Sequence, residues 1–312
     1  MSNTHCLATG LAFPESPVIL ADGSVVVSEM AAGRIARVQA NGVVETVANT
    51  GGGPNGVGLL PDGRLVVCQN GGSRFGLAPW PYDFDGSVPV FRPTGPPEVP
   101  VTPALQIVDS GGGVSTLTTE FRTRSGKVLP LVRPSDICVD RYGGFYVTDG
   151  GTVQGRSRMM TGLLYGTVDG GLREIVYPLE MPNGLSLSPD GSLLYVAETR
   201  TRRIWEFELD GPGVVRRARG LTTVPSGGAL NIGGADGVCV DSVGRILVAT
   251  LGTGGVTVFS PSGELVGAIP ADDPMTTNAA VTAGGMLFMT LASSGRLLVV
   301  EDWPQAAGIN GH

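Results

Sequence analysis

Six oxygen-bearing side chains recur at one place in a repeated phrase of the chain. Counting back eight residues from a turn glycine lands on Glu15, Asn55, Ser135, Asn183, Asp236 and Thr277. Carboxylate, amide and hydroxyl oxygens are the donors of a hard cation. Ca2+ takes roughly six to eight oxygens, and Mg2+ about six with more water retained. Glu15 and Asp236 would balance a dication, and Asn183 would add a neutral carbonyl oxygen. Two carboxylates held close together repel unless a cation or a shared proton intervenes. In the competing reading, Asn-Gly and Asp-Gly at 55, 183 and 236 only shape the turn into each unit. That accounts for the glycines but not for Glu15, which Ser-Pro follows.

Other chemistries lack their residues. The two histidines, His5 and His312, sit at the termini, which argues against a Ser-His-Asp or Cys-His triad and against a His-rich zinc site. The single lysine, Lys127, falls in an irregular stretch, which disfavours a Schiff base. Cys6, Cys68, Cys138 and Cys239 are far apart with no CxxC spacing, so reduced thiols buried in strands are expected. A net charge of -7 argues against a nucleic-acid partner. No apolar run is long enough for a membrane span. Met1 to Phe13 has neither a basic n-region nor an apolar h-region, so a cytoplasmic location is expected.

The elements that would hold the ring are strands. Short apolar runs alternate with Gly, Asp, Pro and Asn, and long helical patterns are nearly absent. One unit recurs: a polar residue, an apolar strand, a glycine turn and a second apolar strand. It reads ESPVILADGSVVVSE from Glu15, PNGVGLLPDGRLVVC from Pro54 and PSDICVDRYGGFYVT from Pro134. It returns as PNGLSLSPDGSLLYV from Pro182, ADGVCVDSVGRILVA from Ala235 and TNAAVTAGGMLFMT from Thr277. Asp22-Gly23, Asp62-Gly63 and Asp190-Gly191 have hairpin-turn chemistry, which makes their carboxylates turn formers. Further strand-like runs follow each pair, such as RIWEFEL from Arg203. Roughly four strands per 40 to 50 residues is the size of a propeller blade. The fold class is therefore all-β, a single six-bladed β-propeller domain over 1–312, with a β-sandwich as the alternative.

The third unit starts late. The excess, about 71–129, reads as a long loop insertion in the second blade, rich in Pro, with Trp80, Tyr82, Phe84 and Phe91. Such a loop is either a lid over the channel mouth or packing on the side of a blade. As a lid it would select a less polar substrate than a sugar. Glu29, Asp149 and Glu198 end second strands and read as structural or solvent-facing.

The ordered phrases PNGVGLLPDGRLVVC, RPSDICVDRYGGFYVTDG, PNGLSLSPDGSLLYVAET, ADGVCVDSVGRILVA and GVTVFSPSGELVGAIPADDPMTTNAAV resemble one known set. It is that of the gluconolactonase/regucalcin (senescence marker protein) family of six-bladed propeller lactonases. Each phrase alone is generic to propellers; their order is the specific signal, and it runs from about Phe13 to Glu301. The resemblance implies a divalent metal held by Glu15, Asn183 and Asp236, with Asp236 also the catalytic base. Ca2+ is the first expectation, with Mg2+, Mn2+ and Zn2+ as alternatives. The chain departs from the family at Ser135-Asp136, where Asn-Asp is usual, and at Gln69-Asn70, where many bacterial members carry a histidine.

The function this implies is metal-dependent hydrolysis of a lactone that is less polar or bulkier than gluconolactone. Asn55, Ser135 and Asn183 would position the small-molecule substrate or complete the metal shell, with Thr277 as a further ring member. Arg133, just before Pro134, would hold a substrate carboxylate, unless it is a surface arginine. Asp136 is expected to hydrogen-bond behind the ring. The expected assembly is a monomer or homodimer. The alternatives are a non-catalytic metal- or ligand-binding propeller, or another reaction on the same scaffold.

Overall fold

The computed structural model describes residues 4–79, 89–225 and 234–303, and every regular element among them is a β-strand. Among the described residues the strands form six blades of a propeller, each with four antiparallel strands; five are four-stranded sheets, and the sheet of blade 3 is widened to six by an added hairpin. Blade 1 runs Pro14–Ile19, Val25–Glu29, Arg34–Val38 and Val44–Asn49. Blade 2 runs Pro54–Leu59, Leu65–Gln69, Ala104–Val108 and Val114–Thr118. Blade 3 begins with Pro134–Val139 and Phe145–Asp149, and continues with Thr161–Thr167 and Gly171–Leu179. Blade 4 spans Pro182–Leu187, Leu193–Glu198, Arg203–Leu209 and Val215–Thr223. Blade 5 spans Gly234–Val240, Ile246–Leu251, Val256–Phe259 and Leu265–Ile269. Blade 6 has Thr276–Val281, Leu287–Leu291 and Arg296–Val300, and takes its outer strand, Thr4–Ala8, from the start of the chain. That exchange ties the last blade to the first. The first strand of every blade packs against those of both neighbours, so the six line a closed ring.

The middle strands are apolar on both faces because each blade is sandwiched between two others. Val25 and Val27 pack toward Phe288 and Val299 of blade 6. Val26, pointing the other way, packs toward Val57 and Val67 of blade 2. Successive residues of a strand alternate faces, so a two-sided sheet needs a continuous apolar run. Each fully buried Val or Leu contributes about 1.5–3 kcal/mol. The six turn glycines, Gly23, Gly63, Gly143, Gly191, Gly244 and Gly285, all have φ between 74° and 86°. The adjoining aspartates close these turns: Asp22, Asp62 and Asp190 accept the N–H of Ser24, Arg64 and Ser192.

The stretch 71–129 is not one loop. Ala104–Val108 pairs with Leu65–Gln69, and Val114–Thr118 completes blade 2. The Pro-rich flank hides this short, fully buried strand in the sequence. The true excess is two hairpins. Arg74–Pro79 pairs with Pro89–Gly95, between the second and third strands of blade 2. Glu120–Arg122 pairs with Val128–Pro130 and lies along the outer strand of blade 3. Trp80, Tyr82, Phe84 and His312 lie outside the described residues.

Candidate functional site

The ring positions coincide with a β-bulge in every blade. The pairing of first and second strands slips between Glu15 and Val18, Pro54 and Val57, and Pro134 and Ile137. It slips again between Pro182 and Leu185, Ala235 and Val238, and Thr276 and Asn278. A bulge re-aims side chains, and here it gives two tiers. The first is Glu15, Asn55, Ser135, Asn183, Asp236 and Thr277. The second is the next residue of each blade: Ser16, Gly56, Asp136, Gly184, Gly237 and Asn278.

The second tier is crowded. A Cβ on Gly56 would meet Asp136 Cα at 2.6 Å, and one on Gly237 would meet Asn278 Cγ at 2.2 Å. Only glycine lets neighbouring blades approach this closely. Asp136 of blade 3 and Asn278 of blade 6 belong to opposite blades of the ring. Asn278 Nδ2 donates to Asp136 Oδ2 at 3.3 Å, so this pair bridges the channel beneath the first tier.

Three carboxyl groups meet here. Glu15, Asp136 and Asp236 are each 6% exposed. Burial, then the negative charges of Asp236 and Asp136, push the Glu15 carboxyl well above its usual range. Burial and Asp136 likewise push Asp236 up, partly offset by a hydrogen bond from Asn183. Burial pushes Asp136 up to about 7, against the pull of the Ile137 N–H and the Asn278 amide.

Asn183 spends both amide hydrogens. Its Nδ2 donates to Asp236 Oδ1 at 2.5 Å and to Thr199 Oγ1 at 3.2 Å. Its Oδ1 accepts no hydrogen bond among the described residues, which leaves a carbonyl oxygen free beside the Asp236 carboxylate. Among the described residues no three His, Cys, Asp or Glu side chains form a metal cage by themselves. The donor set thus fits a hard cation only with amide or hydroxyl oxygens and water included, as Ca2+ and Mg2+ accept.

The remaining ring members differ in availability. Asn55 is half-buried, and its backbone oxygen is held by Ser28 Oγ at 2.6 Å. Ser135 Oγ donates to the Arg133 carbonyl at 3.2 Å. Thr277 is buried, with its hydroxyl bonded to Pro14 O and Thr290 Oγ1, both at 3.0 Å. It therefore anchors the strand that carries Glu15. Arg133 is half-buried, and its guanidinium has no hydrogen-bond acceptor among the described residues. Burial lowers its pKa, and the Asp149 charge partly restores it.

The acids that end second strands are buried clamps rather than solvent-facing groups. Asp149 accepts the N–H of Val132 and Arg133 at 2.8 Å and of Gly151 at 3.0 Å. Glu29 takes the Ala12 N–H and Glu198 the Glu180 N–H. Each fixes the chain entering its own blade. A second set of supports crosses between blades: Ser28 holds Asn55 O, and Thr148 holds Asn183 O at 2.7 Å. A hydroxyl just ahead of the clamping acid, in VVVSE and FYVTD, was the sequence signal for these supports.

These features place the chain in the class of six-bladed propellers with buried carboxylates and an amide oxygen in the channel. Within that class, the chain belongs to the SMP-30/gluconolactonase/LRE-like family, whose model matches residues 13–293. It is 29% identical over 224 residues to the lactonase drp35 of Staphylococcus epidermidis, covering 69% of this chain and 56% of that one. It is 33% identical over 221 residues to the lactonase drp35 of Staphylococcus aureus, with the same coverage of 69% and 56%. The chain thus spans little more than half the length of these curated relatives. Among solved structures it resembles a gluconolactonase from Xanthomonas campestris, with TM-score 0.73 and 24% identity over 96% of this chain and 89% of that one. It also resembles regucalcin from Agrobacterium tumefaciens, described as calcium-binding, with TM-score 0.69 and 16% identity over 96% and 93%. These structural likenesses establish the fold.

Proposed function

We propose that this protein hydrolyses a lactone with the help of one divalent cation held by Glu15, Asn183 and Asp236. The observation that carries the reading is the mutual repulsion of the buried Glu15 and Asp236 carboxyls, with Asn183 hydrogen-bonded to Asp236 and its Oδ1 accepting no hydrogen bond among the described residues. Family membership supports the reaction class. Ca2+ fits the oxygen donors best, with Mg2+, Mn2+ and Zn2+ as alternatives. When bound, the cation supplies positive charge that polarises the lactone carbonyl.

The chain's own residues do the rest. Asp236 takes the proton of the attacking water as the water oxygen bonds to the carbonyl carbon. The ring C–O bond then breaks, and the departing oxygen receives that proton, giving a hydroxy acid. The Asn183 amide holds Asp236 in place, and Thr277 anchors the strand of Glu15. Asn55 and Ser135 face the substrate. Arg133, a desolvated guanidinium without an acceptor among the described residues, would hold a substrate carboxylate. The substrate is a small lactone, less polar or bulkier than gluconolactone. The protein acts in the cytoplasm as a monomer or homodimer; four free thiols, three of them buried or half-buried, support a reducing compartment.

The test is hydrolysis of a lactone panel, from aldonolactones to bulky aromatic lactones, by chelated protein before and after adding each cation. Turnover restored by a cation is the expected result. No turnover with any cation would replace the reaction with a binding role.

A further inference from the structure

We propose that the hairpin Arg74–Pro79/Pro89–Gly95 builds an apolar subsite at the channel mouth that accepts an alkyl or aryl substituent on the substrate ring. The inference rests on the lactonase reading for the reaction, but not for the binding. The hairpin leaves blade 2, yet its side chains pack on other blades. Val90 is buried in a cluster with Phe13 and Met30 of blade 1, Leu251 of blade 5, and Met275 and Ala292 of blade 6. All of these lie where first strands begin or second strands end, on the rim that carries Glu15. The Phe91 N–H donates to Ser293 Oγ at 2.9 Å, which latches the hairpin to blade 6. The hairpin therefore reaches across the mouth as a fixed wall.

Its aromatic rings give that wall its chemistry. Phe75 lies 4.9 Å from Phe13 and 5.8 Å from Phe91, centroid to centroid, the latter pair stacked at 27°. Phe13 sits two residues before Glu15. Phe75 and Phe91 are only half-buried. These rings offer a polyol no hydrogen-bond partner, and burying its hydroxyls against them is unfavourable. An alkyl chain gains about fourfold in affinity for each methylene buried, and an aryl group can stack.

The test compares kcat/KM for δ-undecalactone, which carries a six-carbon chain, with that for unsubstituted δ-valerolactone. The wild type is expected to prefer the substituted lactone by about 10-fold or more. Phe75→Ala and Phe91→Ala should bring that ratio close to 1 through KM, and Phe91→Leu should keep most of it. Ser293→Ala removes the latch but no ring, and should lower the ratio without loss of fold. Binding of the matching non-hydrolysable alkyl δ-lactam, followed by calorimetry, separates the two readings. Lactam binding that Phe91→Ala abolishes, without turnover of any lactone, keeps the subsite and removes the lactonase reading. Hydrolysis without alkyl preference, or a ratio unmoved in all four variants, overturns the subsite and leaves the lactonase reading standing.

Discussion

Asp190 and Asp136 lie in two copies of the repeated unit, at opposite ends of the first strand that lines the channel. Asp190 sits in the turn after the first strand of blade 4, exposed to water. The Ser188 hydroxyl and the Ser192 N–H and hydroxyl bond to it and hold it down to about 2. Asp136 sits at the bulge of blade 3, and burial pushes it up to about 7. Asp22 and Asp62 follow the first pattern, and Glu15 and Asp236 the second. The repeat therefore delivers carboxylates to both ends of the blades, and their surroundings sort them. At the turn end they finish hairpins. At the channel end they are buried close together; burial raises all three, and the charges of neighbouring carboxylates raise Glu15 and Asp236 further.

If that contrast holds, substitutions at the two ends should differ in kind. Asp236→Asn should cost about 10²–10⁴-fold in lactone turnover. Its circular dichroism and thermal transition should stay near those of the wild type. Normal turnover would remove Asp236 from the chemistry. Gly237→Ala should destabilise the fold by about 1–3 kcal/mol, because its Cβ would fall on Asn278 Cγ. A Tm lower by several degrees is the readout, and an unchanged Tm would mean the second tier is looser than described.

The pH dependence has opposite signs at the two ends. Asp136 keeps its proton to about 7 when folded, against an ordinary value of 3.8. The folded state then binds more protons than the unfolded one, so stability falls as pH rises from about 4 to about 7. In chelated protein the Tm of Asp136→Asn, relative to wild type, should therefore climb across that range. A flat difference would show that Asp136 is not held protonated. Asp190 is lowered to about 2, so its contribution is present above 3.8 and fades as pH falls toward 2. At the exposed turn that contribution is small. Asp190→Asn should shift Tm by about 1 °C at pH 7 and leave turnover intact.

The turn end was almost fully legible in the sequence, because glycine with positive φ and a neighbouring Asp are local requirements. The ring offset was legible for a related reason: the bulge stands at a constant distance from the turn. What depends on distant partners was not. The Asp136–Asn278 bridge joins residues 142 apart in sequence, and only closure of the ring brings them together. The outer strand Thr4–Ala8 pairs with Arg296–Val300 for the same reason. Ala104–Val108 was lost in its Pro-rich surroundings, since five residues, one of them Gln106, carry little signal beside a long loop. The clamps Glu29, Asp149 and Glu198 could be read as structural or as solvent-facing, because nothing in their neighbours announces the backbone N–H groups they accept.

The measurement closest to the central claim is a calorimetric titration of chelated protein with Ca2+, then Mg2+, Mn2+ and Zn2+, beside the Glu15→Gln variant. One cation bound per chain in the wild type, and none in the variant, is the predicted result. Binding of no cation, or binding that Glu15→Gln leaves unchanged, would contradict the assignment of the channel carboxylates to a metal.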